Sequence, residues 1–582
     1  MNRLGKRTLV GFAILTGAAY GCKDFLVTPP QGALNELTLG NQAGLEATLV
    51  GAYRIIGGMT NFGSAPSNWG LASVPSDDAY KGSDPTDQGP QLNPLEFYQW
   101  TNGPDYPNEK WNAMYEGVNR ANSTLRLLAT VPGLPAGDAS SIQGEAIFLR
   151  AHFHFELWEI FGNIPYYREE DVDFRKANLP SADVIKNILA DLDLAIPLLP
   201  ATPRNGDKGR ASQWSAKAYK GRVQVYSGDY AACLATLREV VNSGIYALEP
   251  SYDRVWTGFE QYANGPETIL AYEASANVGD PNGDPSNFGE RLNFPHSGSP
   301  FGCCGFHQPS QNLVNFFRVD ARGLPLAIAI GDLEPLDATA AWNASDANFV
   351  AGNMDPVDPR LDWTVGRDGV PFKDWGPHAP GWIRDPAYSG PYSPKKNVHE
   401  KSSGAQSNVG WGNTALNSVN IHIFRYADLL LLLAEAEVEA GSLENARILV
   451  NQVRDRAAQK AQGPGTSAAD IAVPIHDPSI TWANYQIGLY PSFPSKEYGR
   501  TAVRYERRLE LAMEGHRLYD LRRWDTADDV LNSYISVEKT RRPRLANAVP
   551  FTDRHKWYPI PAVQIDLSKV NGEPMLTQNP GW

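Results

Sequence analysis

The sequence predicts a mainly α fold, a scaffold of tetratricopeptide-like helical hairpins that carries an extensive irregular, loop-rich part. Apolar residues recur at three and four spacing through residues 111–245 and again through 420–530. Short turns, Ser227 to Asp229 and Gly441 to Ser442, separate paired helical stretches. Residues 60–108 and 275–420 are dense in Gly, Pro, Asn and Asp yet full of aromatics, which suits ordered loops better than disorder.

Each element follows from its own pattern. In EAIFLRAHFHFELWEIFG (Glu145 to Gly162), Ile147, Ala151, Phe155 and Trp158 fall on one helical face. A further helix starts at Ser181, and a helix, turn and helix start at Ser212. A similar pair runs from Arg425 to Ala457, where five consecutive leucines (Leu429 to Leu433) are too few to span a membrane and predict burial between helices. No strict 34-residue period is visible, so the hairpins read as degenerate repeats.

The N-terminus has the order of a secretory signal over residues 1–21: Arg3, Lys6 and Arg7, an apolar run from Thr8 to Ala19, then small residues up to Gly21. Cys22 follows directly, and two readings stand: a lipidated N-terminal cysteine, or a plain signal followed by an incidental one. The remaining 561 residues, 22–582, suffice for one large domain or two to four smaller ones.

A formal charge of -13 and the lack of any Lys/Arg block outside short helical patches argue against nucleic acid as a partner and disfavour strongly acidic ligands. Four cysteines are too few for a disulfide scaffold. Cys233 reads as a small buried residue, and the neighbours Cys303 and Cys304 as either a vicinal disulfide or two thiols.

Catalytic signatures are missing: no HExxH, GxSxG, phosphate loop or GxGxxG occurs. His152 and His154 would point about 200° apart on a helix, poor metal geometry. Asp280, Asn282 and Asp284 suggest a turn rather than a calcium loop, because Arg291 stands where the twelfth-position Glu would be. No catalytic residue, metal or cofactor is therefore expected. Glu506, Glu510 and Glu514 align at steps of four beside Arg507, Arg508 and Arg517. Carboxylates on one helix face point the same way rather than across a cleft, so an ion-pair network is expected in place of a glycosidase pair.

Several stretches, in order along nearly the whole chain, resemble the SusD/RagB family of outer-membrane nutrient-uptake lipoproteins. They are CKDFLVTPP from Cys22, WNAMYEGVNRANSTL from Trp111, EAIFLRAHFHFELWEIFGNIP from Glu145 and HQPSQNLVNFF from His307. RYADLLLLLAEA, NQVRDRA, ERRLELAMEGHRLYDLRRW and the ending WYPIPAVQIDL to LTQNPGW complete the set. The resemblance implies a single SusD-like domain over 22–582, lipidation at Cys22 and tethering to the extracellular face of the outer membrane. It also implies a partnership with a SusC-like TonB-dependent porin, to which oligosaccharides or, in some relatives, peptides are delivered. A surface glycan-degrading enzyme and a pure scaffold that binds no ligand are the remaining rivals.

Sugars offer C–H faces to flat rings and hydroxyls to Asp, Asn and Arg, so the aromatic loops are the expected ligand site. Five of the 15 tryptophans, Trp342, Trp363, Trp375, Trp382 and Trp411, fall between 342 and 411. The candidates are Trp69, Asp77, Asp78, Tyr80 and Trp100 from the early loops, with Trp342, Trp375, Trp382 and Trp411 from the later ones. Two or three of the loop tryptophans are expected to be exposed platforms.

Overall fold

The computed structural model describes residues 39–103, 105–329, 331–332, 346–409 and 415–582. The signal segment, Cys22, Trp342 and Trp411 lie outside the described residues.

The scaffold runs through α1 (Gln42–Arg54), α2 (Tyr106–Leu128), α3 (Ala136–Phe161), α4 (Ser181–Leu198), α5 (Gln213–Tyr226) and α6 (Tyr230–Ser243). From α2 onward each helix packs on the next, as expected of stacked hairpins. Polar caps set the starts: Ser212 and Ser215 form a capping box on α5, and Asp229 accepts from the Ala232 amide to start α6. The stack then resumes about 180 residues later with α7 (Tyr426–Ala440), which packs on α6 and is followed by α8 (Leu443–Ala457) and α9 (Lys496–Leu511). Helices α10 (Arg517–Arg523) and α11 (Ala527–Arg541) complete it.

Short ribbons hold the loop-rich parts. Strand β1 (Ala79–Gly82) pairs antiparallel with β3 (Phe306–Pro309), joining the early and late loop regions, and β2 (Thr268–Tyr272) pairs antiparallel with β4 (Ile421–Arg425). The excursion from 273 to 420 thus leaves and returns on one ribbon, so the helical stack stays continuous across it.

Burial of α3 differs from the single apolar face expected. From Ser141 to Phe161 almost every residue is buried, because α3 packs on both α2 and α4. Its charges are paired internally: Glu145 with Arg204 and Arg210, Arg150 with Asp191, and Glu156 with Lys110. His152 contacts the Tyr219 hydroxyl at 2.8 Å and His154 the Arg150 carbonyl at 2.9 Å, both structural roles. The leucine run of α7 is buried as expected, and among the described residues no helix is long and apolar enough to cross a membrane.

Candidate ligand site

Helix α9 carries two sets of charges on different faces. Toward the interior, Glu506 and Glu510, with Glu514 just past the helix end, receive cations from the excursion and from α8. Arg360 holds Asp358 with two nitrogens at 3.0 and 2.8 Å and reaches Glu506 at 2.6 Å and Glu510 at 3.0 Å. Arg425 reaches Glu510 and Glu267 at 2.7 Å, Arg454 reaches Glu506 at 2.7 Å, and Lys396 reaches Glu514 at 2.6 Å. Arg456 joins Glu267 to Glu510.

Burial alone would push the Glu510 carboxyl up, but the guanidinium groups of Arg456, Arg425 and Arg360 outweigh it and bring it down to about 2. Glu514 is likewise driven below the ordinary carboxylate range, by Arg425 and Lys396 against burial. Two carboxylates held this way have no proton to give, and both are buried. Their work is to bolt the base of the excursion to the scaffold, the ion-pair network expected from their spacing.

The early-loop candidates belong to the same framework. Asp78 accepts from Arg508 Nε at 2.9 Å, and Asp77 is gripped by Arg517 at 2.7 and 3.0 Å. Tyr80 is fully buried, donates to Glu538 and accepts the Gln311 amide. Trp69 is fully buried with Nε1 donating to the Gly289 carbonyl at 2.9 Å, and Trp100 stacks on Tyr558 with ring centroids 3.9 Å apart. Trp382 and Trp363 are buried too, and Trp375 is half-buried against Phe301 with its Nε1 on the His399 carbonyl. The expectation of exposed tryptophan platforms is therefore corrected for the described rings. A large ring with an N–H that finds a carbonyl lowers more free energy as the core of an irregular loop than in water, and these loops have few regular elements to supply a core otherwise.

The other face of α9 borders a cavity of about 540 Å³, walled also by α10, α11 and the start of α6. Arg500, Arg504, Arg508, Arg517 and Arg523 line it, with the carboxylates of Asp77, Glu439, Glu497 and Asp529. Its apolar part is mainly aromatic, Tyr230, Phe316, Tyr505, Trp524 and Tyr534, with Leu521, Val530 and Val537 beside them. A volume of 300 to 1,000 Å³ with aromatic walls and a few polar groups is typical of small-ligand sites. Of the sequence candidates among the described residues, Asp77 alone lines this cavity. The signal that would have found the rest is helical spacing, since Glu497, Arg500, Arg504 and Arg508 recur at three and four along α9.

Behind Gly515 the turn after α9 presses on the early loops. Its φ is 81°, and a Cβ there would sit 1.7 Å from the Ser67 carbonyl oxygen. Cys303 and Cys304 are joined in a disulfide and Cys233 is buried and free. Asp280 accepts the amides of Asn282 and Gly283, the turn its spacing suggested. Among the described residues no group of His, Cys, Asp and Glu is placed to hold a metal ion.

Comparison with known proteins follows this architecture. The SusD family profile matches residues 266–582, and a second profile, described as starch-binding associating with outer membrane, matches residues 67–225. SusD-like protein P2 of Formosa agariphila is 23% identical over 600 residues, covering 99% of this chain and all of the relative. Among solved structures, a laminarin binding SusD-like protein superposes with a TM-score of 0.65 at 22% identity, over 93% of this chain and 100% of that one. Surface glycan-binding protein A from Bacteroides thetaiotaomicron, in complex with laminarihexaose, gives 0.63 at 18% identity, over 93% and 99%. The chain belongs to the SusD family.

Proposed function

We propose that the protein is a cell-surface, lipid-anchored glycan-binding protein that binds oligosaccharides and delivers them to a SusC-like TonB-dependent outer-membrane transporter, without cleaving them. Lipidation at Cys22 and placement on the extracellular face of the outer membrane belong to the same reading, supported by the signal-like N-terminus and by the outer-membrane association in the description of the family matched at 67–225. The observation that carries the glycan reading is the cavity beside α9, aromatic on part of its wall and polar on the rest, in a chain whose structural relatives include laminarin and laminarihexaose binders. Trp375, half-buried at the edge of its loop, and Trp342 and Trp411 remain proposed contacts. The absence of cleavage is supported by the fate of Glu506 and Glu510, both consumed by arginines.

One observation favours a peptide ligand instead: the described loop tryptophans are buried or half-buried and the cavity is strongly charged. Native affinity electrophoresis of the full-length chain through gels loaded with soluble polysaccharides, laminarin among them, separates the readings when reducing-end release is assayed in parallel. Retardation without new reducing ends supports a glycan binder. Retardation with release makes it an enzyme, and binding of peptides in place of every glycan makes it the peptide-binding relative.

A further inference from the structure

Four of the five arginines on the cavity wall already have carboxylate partners. Arg500 pairs with Glu439, Arg508 with Asp77 and Asp78, Arg517 with Asp77, and Arg523 with Glu435 and Asp520. Arg504 is the exception. Among the described residues it makes no ion pair, its Nε is buried without a partner, and its guanidinium lies 4.8 Å from the centre of the Trp524 ring. Trp524 is itself fixed by an Nε1 hydrogen bond of 3.0 Å to Glu435. Two more groups on the same wall are unsatisfied although nearly closed off from water: the Tyr505 hydroxyl, in a residue 4% exposed, and Nη1 of Arg508, in a residue 3% exposed.

A guanidinium offers only donors, and its planar fork matches the paired oxygens of a carboxylate or sulfate. A neutral hydroxyl would accept a hydrogen bond but add no negative charge beside the half-buried guanidinium, which feels only one carboxylate, Glu435, already bonded to Arg523 and Trp524. The two cavity carboxylates that no arginine holds, Glu497 and Asp529, are exposed, where water screens them. The formal charge of -13 over the whole chain is therefore no guide to this cavity, because fields beyond roughly 8 Å are largely screened at physiological ionic strength.

We propose, on the glycan reading of the cavity, that its ligand is an anionic oligosaccharide whose carboxylate or sulfate group is held by Arg504 on the shelf of Trp524. Arg500 and Arg523, each already paired with carboxylates, flank that group, and Arg508 and Tyr505 stand behind it with unused hydrogen-bonding capacity.

The test is titration calorimetry of the full-length chain with matched pairs: polygalacturonate against its carboxyl-reduced form, and a sulfated galactan against its desulfated form. Poly-glutamate serves as the acidic peptide control. One charged polysaccharide is expected to bind at least about tenfold more tightly than its neutralised partner. Arg504→Gln removes that advantage and Arg504→Lys retains part of it, with unchanged circular dichroism melting for both. The pair that shows the difference tells carboxylate from sulfate. Equal binding of charged and neutral forms, or wild-type affinity in Arg504→Gln, overturns the anionic inference while leaving glycan binding in place. Binding to poly-glutamate but to no polysaccharide overturns both, as does no binding at all.

Discussion

Arg425 grips both carboxylate oxygens of Glu514 at 2.9 Å while a third nitrogen reaches Glu510 at 2.7 Å. Arg425 ends β4, so the point where the long excursion returns to the scaffold is tied directly to α9 and the turn that follows it. Loops without regular structure of their own are thereby given a fixed base, and whatever they bind is positioned relative to the helical stack.

Removing one member of such a buried network strands the others. Arg425→Met is expected to destabilise the fold by about 3 to 5 kcal/mol in urea unfolding, because Glu514 and Glu267 lose a principal counter-charge. A loss within the range of an exposed ion pair, under about 1 kcal/mol, would show that the network is not what anchors the excursion.

The same carboxylates set an acid limit. Burial opposes ionisation of Glu510 and Asp520, but their arginine partners bring both to about 2, from 4.5 and 3.8 respectively. Because the folded values lie below the unfolded ones, this stabilisation is complete above about pH 4.5 and is lost as the pH falls toward 2. The unfolding midpoint is expected to drop steeply across that window. A midpoint unchanged between pH 5 and roughly 2.5 would contradict the assignment.

Trp100 separates a packing role from a binding role. Its ring stacks on Tyr558 and lies parallel to Trp582 at 6.3 Å. Trp100→Ala should cost about 3 to 5 kcal/mol of stability and leave the ligand affinity of the folded protein unchanged. An affinity loss without a stability loss would return Trp100 to the ligand site.

Gly515 is where helix α9 can turn against the early loops. Gly515→Ala combines a left-handed backbone with a clash against the Ser67 carbonyl, and should cost at least about 2 kcal/mol. A melting temperature equal to wild type would show that the turn relaxes freely.

Differential alkylation reads the cysteines. Burial pushes the Cys233 thiol up, so its peptide should be labelled only after denaturation. The peptide with Cys303 and Cys304 should be labelled only after denaturation and reduction. Labelling of Cys233 in the native protein would contradict its placement in the core.

The hairpins were readable because helical periodicity is local: Ile147 to Trp158 and Leu429 to Leu433 state their burial within a few turns. The ion-pair role of Glu506 and Glu510 was readable for the same reason, since carboxylates on one face with arginines between them leave little choice. The loop tryptophans were not. Whether Trp69 faces water or the Gly289 carbonyl depends on chain 220 residues away, and composition carries no trace of such a contact. The cavity escaped for a related reason. Arg504 lies on α9 and Trp524 just past the end of α10, elements whose approach is set by the stack, and among so many paired arginines only the three-dimensional structure shows which one lacks an ion pair.

The most direct test of the cavity as the ligand site is hydrogen exchange by mass spectrometry, with and without the polysaccharide that retards the protein. The account predicts slowed exchange in α9 and α11, the helices carrying Arg504 and Asp529. Slowed exchange confined to residues 275–420, with α9 and α11 unchanged, would contradict it and return the site to the aromatic loops.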